Sequence, residues 1–364
     1  MNEEEKGKST QVLADPPGNG GRFTQFDGLR GVAIIIVVLS HCSILNQGGV
    51  ANAIFFALTG FLLLNPFKDS YEQRFLSIRS ILKFYGSKAL RILPAYYLVL
   101  LFTRLQTGYD VIPRDTFISL LYFGNIYGHL WYVYAFFWVM YIIPFVFVAI
   151  LLLAKNIKAL RNDLVVAVVF ILLAAAARLF FLYTGMFDLR FDQLMLGIAA
   201  GYIFRYIRKR SNVLSNIRRH SGIVRAMVIT IVLLIVITSS DVLGIFDPSL
   251  SEYYIGWNLI YTVGSFMSLL VLLIALCPDG LIGRVLQAKP LLFVGKYTYT
   301  IYLLNSFIIP QLNIRSKLFL FVCVFSASLF LACLIDSLLD RVIGMLKRLV
   351  RSMLNKSAKA SGQN

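Results

Sequence analysis

The chain has 364 residues, 58% of them hydrophobic and only 15% charged, with a formal net charge of +17. Soluble domains are nearer to about 45–50% apolar, so the composition excludes an ordinary globular enzyme and indicates an all-α polytopic membrane protein. In a soluble protein the basic excess would suggest nucleic acid. In a membrane protein it records topology, so the expected partner is the lipid bilayer and no nucleic acid is expected.

Residues 1–25, rich in Gly, Pro, Glu and Lys, are expected to form a disordered cytoplasmic tail. They have no signal-peptide apolar core or cleavage site, so nothing suggests their removal. A membrane domain over 26–340 follows, and 341–364 are expected to form a basic cytoplasmic tail. Within the domain, apolar runs place about ten spans near 29–46, 50–65, 91–106, 130–154, 163–184, 190–207, 224–240, 255–277, 292–310 and 316–339. Most approach the ~20 residues that cross the hydrocarbon. Segment 71–90 carries Arg74, Arg79, Lys83 and Lys88 among apolar residues and is expected to lie in the interface as an amphipathic helix. Segment 112–123 is apolar but too short to span.

With the N-terminus inside and loops alternating, about 29 of the 35 Lys and Arg fall on the inner side. The outer 240–254 loop has Asp241, Asp247 and Glu252 and no base. That asymmetry predicts ten spans with N-in and C-in topology. The four cysteines form no CxxC pair, so neither a disulfide frame nor a zinc site is indicated and no metal is expected. Gly197 and Gly201 make a GxxxG, read as close helix packing.

Polar residues inside apolar runs are costly and mark candidate functional sites. In the first span Asp27, Arg30 and His41 make one polar stripe. Arg30 and His41 are eleven positions apart, almost three turns, so they share a face about 16 Å apart along the axis. A neutral imidazole can accept a proton near neutral pH. The ordinary alternative is a histidine bonded to a neighbouring helix. Lys88 and Arg91 share a face at the cytoplasmic mouth of the third span, either as membrane anchors or, with Arg30, as a phosphate clamp. His129, Trp131, Tyr132 and Tyr134 open the fourth span, as an interfacial aromatic belt or as a platform for a sugar. Arg190 and Asp192, with Arg178 and Asp188, cluster where spans five and six meet, and mutual ion pairing is the plain reading. Thr298, Tyr302 and Asn305 form one polar face of span nine, which must turn toward protein or water.

Five stretches in order resemble the acyltransferase 3 family of integral-membrane acyltransferases. Arg22-Phe23…Phe26-Asp27-Gly28-Leu29-Arg30-Gly31-Val32-Ala33 followed by His41 is similar to the family's first-span arginine and histidine with ten residues between. Phe55-Phe56-Ala57-Leu58-Thr59-Gly60-Phe61-Leu62 resembles its second-span segment. Phe84-Tyr85-Gly86-Ser87-Lys88-Ala89-Leu90-Arg91 resembles its basic pair, with Lys88 for the commoner arginine. Arg190-Phe191-Asp192…Gly197 and Gly295-Lys296-Tyr297-Thr298-Tyr299-Thr300-Ile301-Tyr302-Leu303 fit as well. Two departures matter. Phe136 stands where many members have a carboxylate, and Asn305 where many have a histidine. Both shift weight onto His41.

The resemblance implies a membrane enzyme, at a bacterial cytoplasmic membrane, that moves an acyl group. The donor would be acetyl-CoA or another acyl-CoA, and the acceptor a hydroxyl of a carbohydrate, lipid-linked sugar or similar molecule. It implies His41, Arg30 and Asp27 in catalysis and Arg30, Lys88 and Arg91 on the donor. His129, Trp131, Tyr132, Tyr134, Arg190, Asp192, Tyr302 and Asn305 would face substrate. The rival class is a transporter or channel with the Arg30–His41 stripe lining a proton or substrate path. A scaffold of a glycan export system is a third. The sequence leaves open whether the chain is a homo-oligomer.

Overall fold

The computed structural model describes residues 23–111, 118, 121, 130–184, 190–237 and 263–361. His129, Asp188, the 240–254 loop and most of segment 112–123 lie outside the described residues. Among the described residues the long regular elements are all helices. They are α1 Thr24–His41, α2 Gly48–Leu63, α3 Ile78–Val111, α4 Trp131–Asn156, α5 Asp163–Thr184, α6 Phe191–Arg208, α7 Ser211–Arg219, α8 Ser221–Ile237, α9 Met267–Leu276, α10 Leu281–Leu286, α11 Lys289–Lys296, α12 Thr298–Ile308 and α13 Lys317–Ser361. A 3-10 turn over Tyr71–Leu76 precedes α3.

Three of these helices are each long and apolar enough to cross a bilayer, namely α4, residues 163–181 of α5 and residues 317–349 of α13. Helices α7 and α8 pass the same test only together, bent by 70° at their junction. Asp27, Arg30 and His41 dilute the apolar run of α1, while α2 and the 263–276 helix are apolar but short.

Several boundaries differ from those read in the sequence. The first helix begins at Thr24, inside the expected tail, because Phe23 packs among Phe26, Phe61, Phe67 and Phe204 and anchors the chain there. It ends at His41, not near 46, and Ser43 then takes a left-handed φ of 55° that turns the chain toward α2. His41 therefore stands on the last helical turn rather than in mid-helix. Segment 71–90 is not a separate interfacial helix. Its second half is continuous with span three in the 34-residue α3, although Pro94 lies within it and cannot donate a backbone hydrogen bond. Phe75, Ile81 and Phe84 are buried, while the outward side is mixed and exposes Leu76, Ile78 and Leu82 beside Arg79 and Lys83. Span nine is broken at Tyr297 into α11 and α12.

Helices α1, α2, α6 and α9 make the centre of the bundle. The expected GxxxG holds as a packing device. A methyl at Gly197 would fall against the Ala57 carbonyl of α2, so only glycine lets these two helices touch backbone to backbone. The cytoplasmic loops of the sequence reading are tied together by one buried guanidinium. Arg205, with its side chain 4% exposed, makes paired bonds of 2.9 and 3.0 Å to Glu72 of the 3-10 turn. It also bonds Asp163 at the start of α5 at 2.5 Å, and Lys209 reaches the other Asp163 oxygen at 2.9 Å. Loops 66–77 and 157–163 are thereby pinned to the end of α6.

Candidate active site

Two helices bring the polar stripe of α1 to its partners. Gly295 of α11 sits against the Asp27 carbonyl so closely that a side chain there would displace backbone. At the other end His41 meets Asn305 of α12. Helix α11 crosses α1, with Leu291 against Gly31 and Gly295 against Asp27, and α12 then runs along α1 in the same direction until Asn305 is level with His41. The break at Tyr297 lets α12 turn Thr298, Tyr302 and Asn305 inward, and all three are buried.

The Asn305 amide is oriented by its own helix. Its Nδ2 donates to the Ile301 and Tyr302 carbonyls at 3.0 and 2.8 Å, which aims Oδ1 outward. That oxygen lies 2.5 Å from His41 Nδ1. A carbonyl oxygen only accepts, so Nδ1 must carry the proton and the imidazole lone pair belongs to Nε2. Ser306 Oγ is 3.0 Å from the same Nδ1 and donates to Asn305 Oδ1 at 3.3 Å. The arrangement is that of a base held in one tautomer by an orienting acceptor.

Toward the N-terminal end of α1, a cavity of ≈ 550 Å³ opens between α1, α3, α12 and α13. Arg30, Arg74, Lys88, Arg91 and Lys296 line it, with Asp336 and Asp340 on the α13 side. Arg30 is paired with Asp27 at 2.6 Å, so Asp27 holds the guanidinium rather than facing the cavity itself. Lys88 stands on the part of α3 ahead of its span. Desolvation, then the charges of Arg91, Arg74 and Arg30, push its ammonium down to about 8. Five cations around one space, with two carboxylates among them, can hold an anion bearing more than one charge.

His41 is not among the residues that line this cavity, whereas Tyr132 and Tyr302 are. The two tyrosine rings lie 5.2 Å apart. Tyr132 also packs on Phe55, Phe56 and Phe136. Asn305 is one turn beyond Tyr302 on α12, so the His41–Asn305–Ser306 group lies further along that helix than the cavity wall. His41 itself is half-buried.

Of the residues singled out in the sequence, Arg30, Lys88, Arg91, Tyr132 and Tyr302 share the cavity, and His41 and Asn305 share the group further along α12. Trp131, Arg190 and Asp192 gather elsewhere. Arg190 is fully buried with its guanidinium over the Trp131 ring at 5.1 Å, and with Arg178 it acts on Asp192 where α4, α5 and α6 meet. Tyr134 faces the edge of Trp138. Sequence reasoning missed Asp336, Asp340 and Ser306 and counted Arg74 only as an interfacial charge. A carboxylate inside the last apolar run, as Asp336 is, was a signal available to it.

Compared with known families, the chain matches the model of an acyltransferase domain over residues 23–337. No curated protein and no solved structure matches it.

Proposed function

Because the chain belongs to the acyltransferase 3 family and is an integral membrane acyltransferase, we propose that it moves an acyl group, acetyl in the simplest case, from cytosolic acyl-CoA to a hydroxyl of a cell-surface glycan or lipid-linked sugar. His41 is the general base. The observation that carries this reading is the 2.5 Å contact between His41 Nδ1 and the oriented Asn305 Oδ1. It supports a base whose lone pair is on Nε2.

In this reading Arg30, Lys88 and Arg91 hold the donor phosphates, with Arg74 beside them. The thioester passes the Tyr132–Tyr302 pair to reach His41. The acceptor oxygen attacks the thioester carbonyl carbon while its proton goes to His41 Nε2. The carbon–sulfur bond then breaks, and His41 returns the proton to the departing thiolate. Asp27 acts only through Arg30.

The same reading keeps ten spans with both termini inside, in a bacterial cytoplasmic membrane. Two features support it. Helices α1 and α12, which belong to odd spans, run in one direction. The Arg205 cluster also joins three loops that the charge asymmetry assigns to the inner side. A proton or substrate path is the weaker alternative, since the family match is to an acyltransferase domain.

Mass spectrometry of surface glycans and lipids from cells with and without the gene tests the reaction. A difference of one acyl mass is expected and would name donor chain and acceptor together; identical spectra with active flux of a small solute would favour the transporter. With the acceptor in hand, purified His41→Gln should lose about 10²–10⁴-fold in turnover. Turnover near that of the unaltered protein would make His41 structural.

A further inference from the structure

The α13 wall of the cavity has no part in the chemistry above. Asp336 and Asp340 are four residues apart, hence on one helical face, and both line the cavity that the cations of α1 and α3 also line. Asp336 is oriented by Thr300, whose Oγ1 donates to its Oδ1 at 2.6 Å. Arg91 and Lys296 lie within electrostatic range of it. A cavity meant for phosphates alone gains nothing from acids, because they repel the ligand and weaken the cationic field. Acids there make sense if the ligand also presents hydrogen-bond donors. A carboxylate accepting from a sugar hydroxyl is the familiar way a site reads a nucleotide's ribose, and it accepts equally from an exocyclic amine.

Resting on the donor reading above, we infer that Asp336 and Asp340 are the nucleotide-reading side of the donor site. They select a free nucleotide thioester over the same thioester carried on a phosphopantetheine arm alone. The two ligand classes share the phosphate that Lys88 and Arg91 would bind. Only the nucleotide has a ribose and a base to engage α13.

The test is equilibrium binding of CoA and of 4′-phosphopantetheine to the purified full chain. The unaltered protein should bind CoA more tightly. Asp340→Asn and Asp336→Asn should each weaken CoA about tenfold and leave 4′-phosphopantetheine unchanged, while Lys88→Ala weakens both. Asparagine retains an acceptor for Thr300, so Asp336→Asn keeps the α12–α13 tie. If either asparagine variant tightens both ligands, the carboxylates are only counter-charges and the inference falls. Equal weakening of both ligands would make them structural, and unchanged binding of both would remove them from the site. Equal affinity of the unaltered protein for CoA and 4′-phosphopantetheine, with no effect of Lys88→Ala, would instead overturn the donor cavity itself.

Discussion

His41 and Asn305 are separated by 264 positions in the chain, and at the residue scale their contact decides what the histidine can do. Alone in a span, His41 reads equally as a base or as a bonded structural group. Bonded through Nδ1 to an acceptor that two carbonyls hold in place, it has a defined tautomer. Asn305→Ala removes that acceptor and should lower turnover about 10–100-fold while leaving the apparent affinity for acyl-CoA unchanged. Steady-state kinetics with the identified acceptor checks this, and an effect confined to affinity would return Asn305 to substrate binding. Lys88 has a second signature. Its ammonium is pushed down to about 8, so it is charged below that pH and loses its charge as pH rises through it. CoA binding should therefore weaken between about pH 7 and pH 9. Lys88→Arg keeps its charge throughout and should flatten that limb, as titration calorimetry at a series of pH values would show. Arg30, Lys88 and His41 were legible as candidates because each is an ionisable residue in or beside an apolar run. Asn305 was legible as polar, but its partner was not, because nothing local relates positions 41 and 305.

At the element scale, close approach between backbones sets the site. The glycine at 295 lets α11 lie on α1, and the glycine at 197 lets α6 lie on α2. The second was readable from its GxxxG spacing, whereas Gly295 acquires its role only from what it meets. The break at Tyr297 was hidden because averaged hydropathy carries the span across Gly295, Lys296 and Thr298 and does not register a change of helix direction. Arg205 is the strongest polar tie between elements. Arg205→Ala would leave Glu72 and Asp163 buried without their common partner and should cost about 3–5 kcal/mol. By contrast Arg208→Ala, which loses a 3.4 Å contact to the exposed Asp69, should cost less than about 1 kcal/mol. Thermal unfolding of both variants in the same detergent compares them directly, and equal midpoints would remove the Arg205 cluster as a structural anchor.

At the scale of the whole molecule the question is which side of the membrane each end of the site faces. Ten spans with both termini inside put the cation-lined cavity on the cytosolic side, where CoA is, and the C-terminal end of α1 toward the other. Cysteines introduced at Ser211, between α6 and α8, and at Ser249, in the 240–254 loop outside the described residues, should differ toward an impermeant thiol reagent. In intact cells only Ser249→Cys should label. Equal labelling at both positions would break the alternation and reverse the sidedness assigned to the cavity.

The sequence by itself determined that this is an all-helical membrane protein and that it resembles the acyltransferase 3 family. It also supplied the cations and the histidine at issue. Those conclusions rest on local quantities, namely apolar run length, charge asymmetry and short motifs, which survive without knowledge of contacts. Only the tertiary structure decided that Asn305 orients His41, that Tyr132 and Tyr302 pack together on the cavity wall, and that Asp336 and Asp340 share that cavity with the cations. Each of those is a meeting of helices far apart in the chain. Such meetings depend on which backbones can touch and at what angle, and the pattern of a single helix does not encode that.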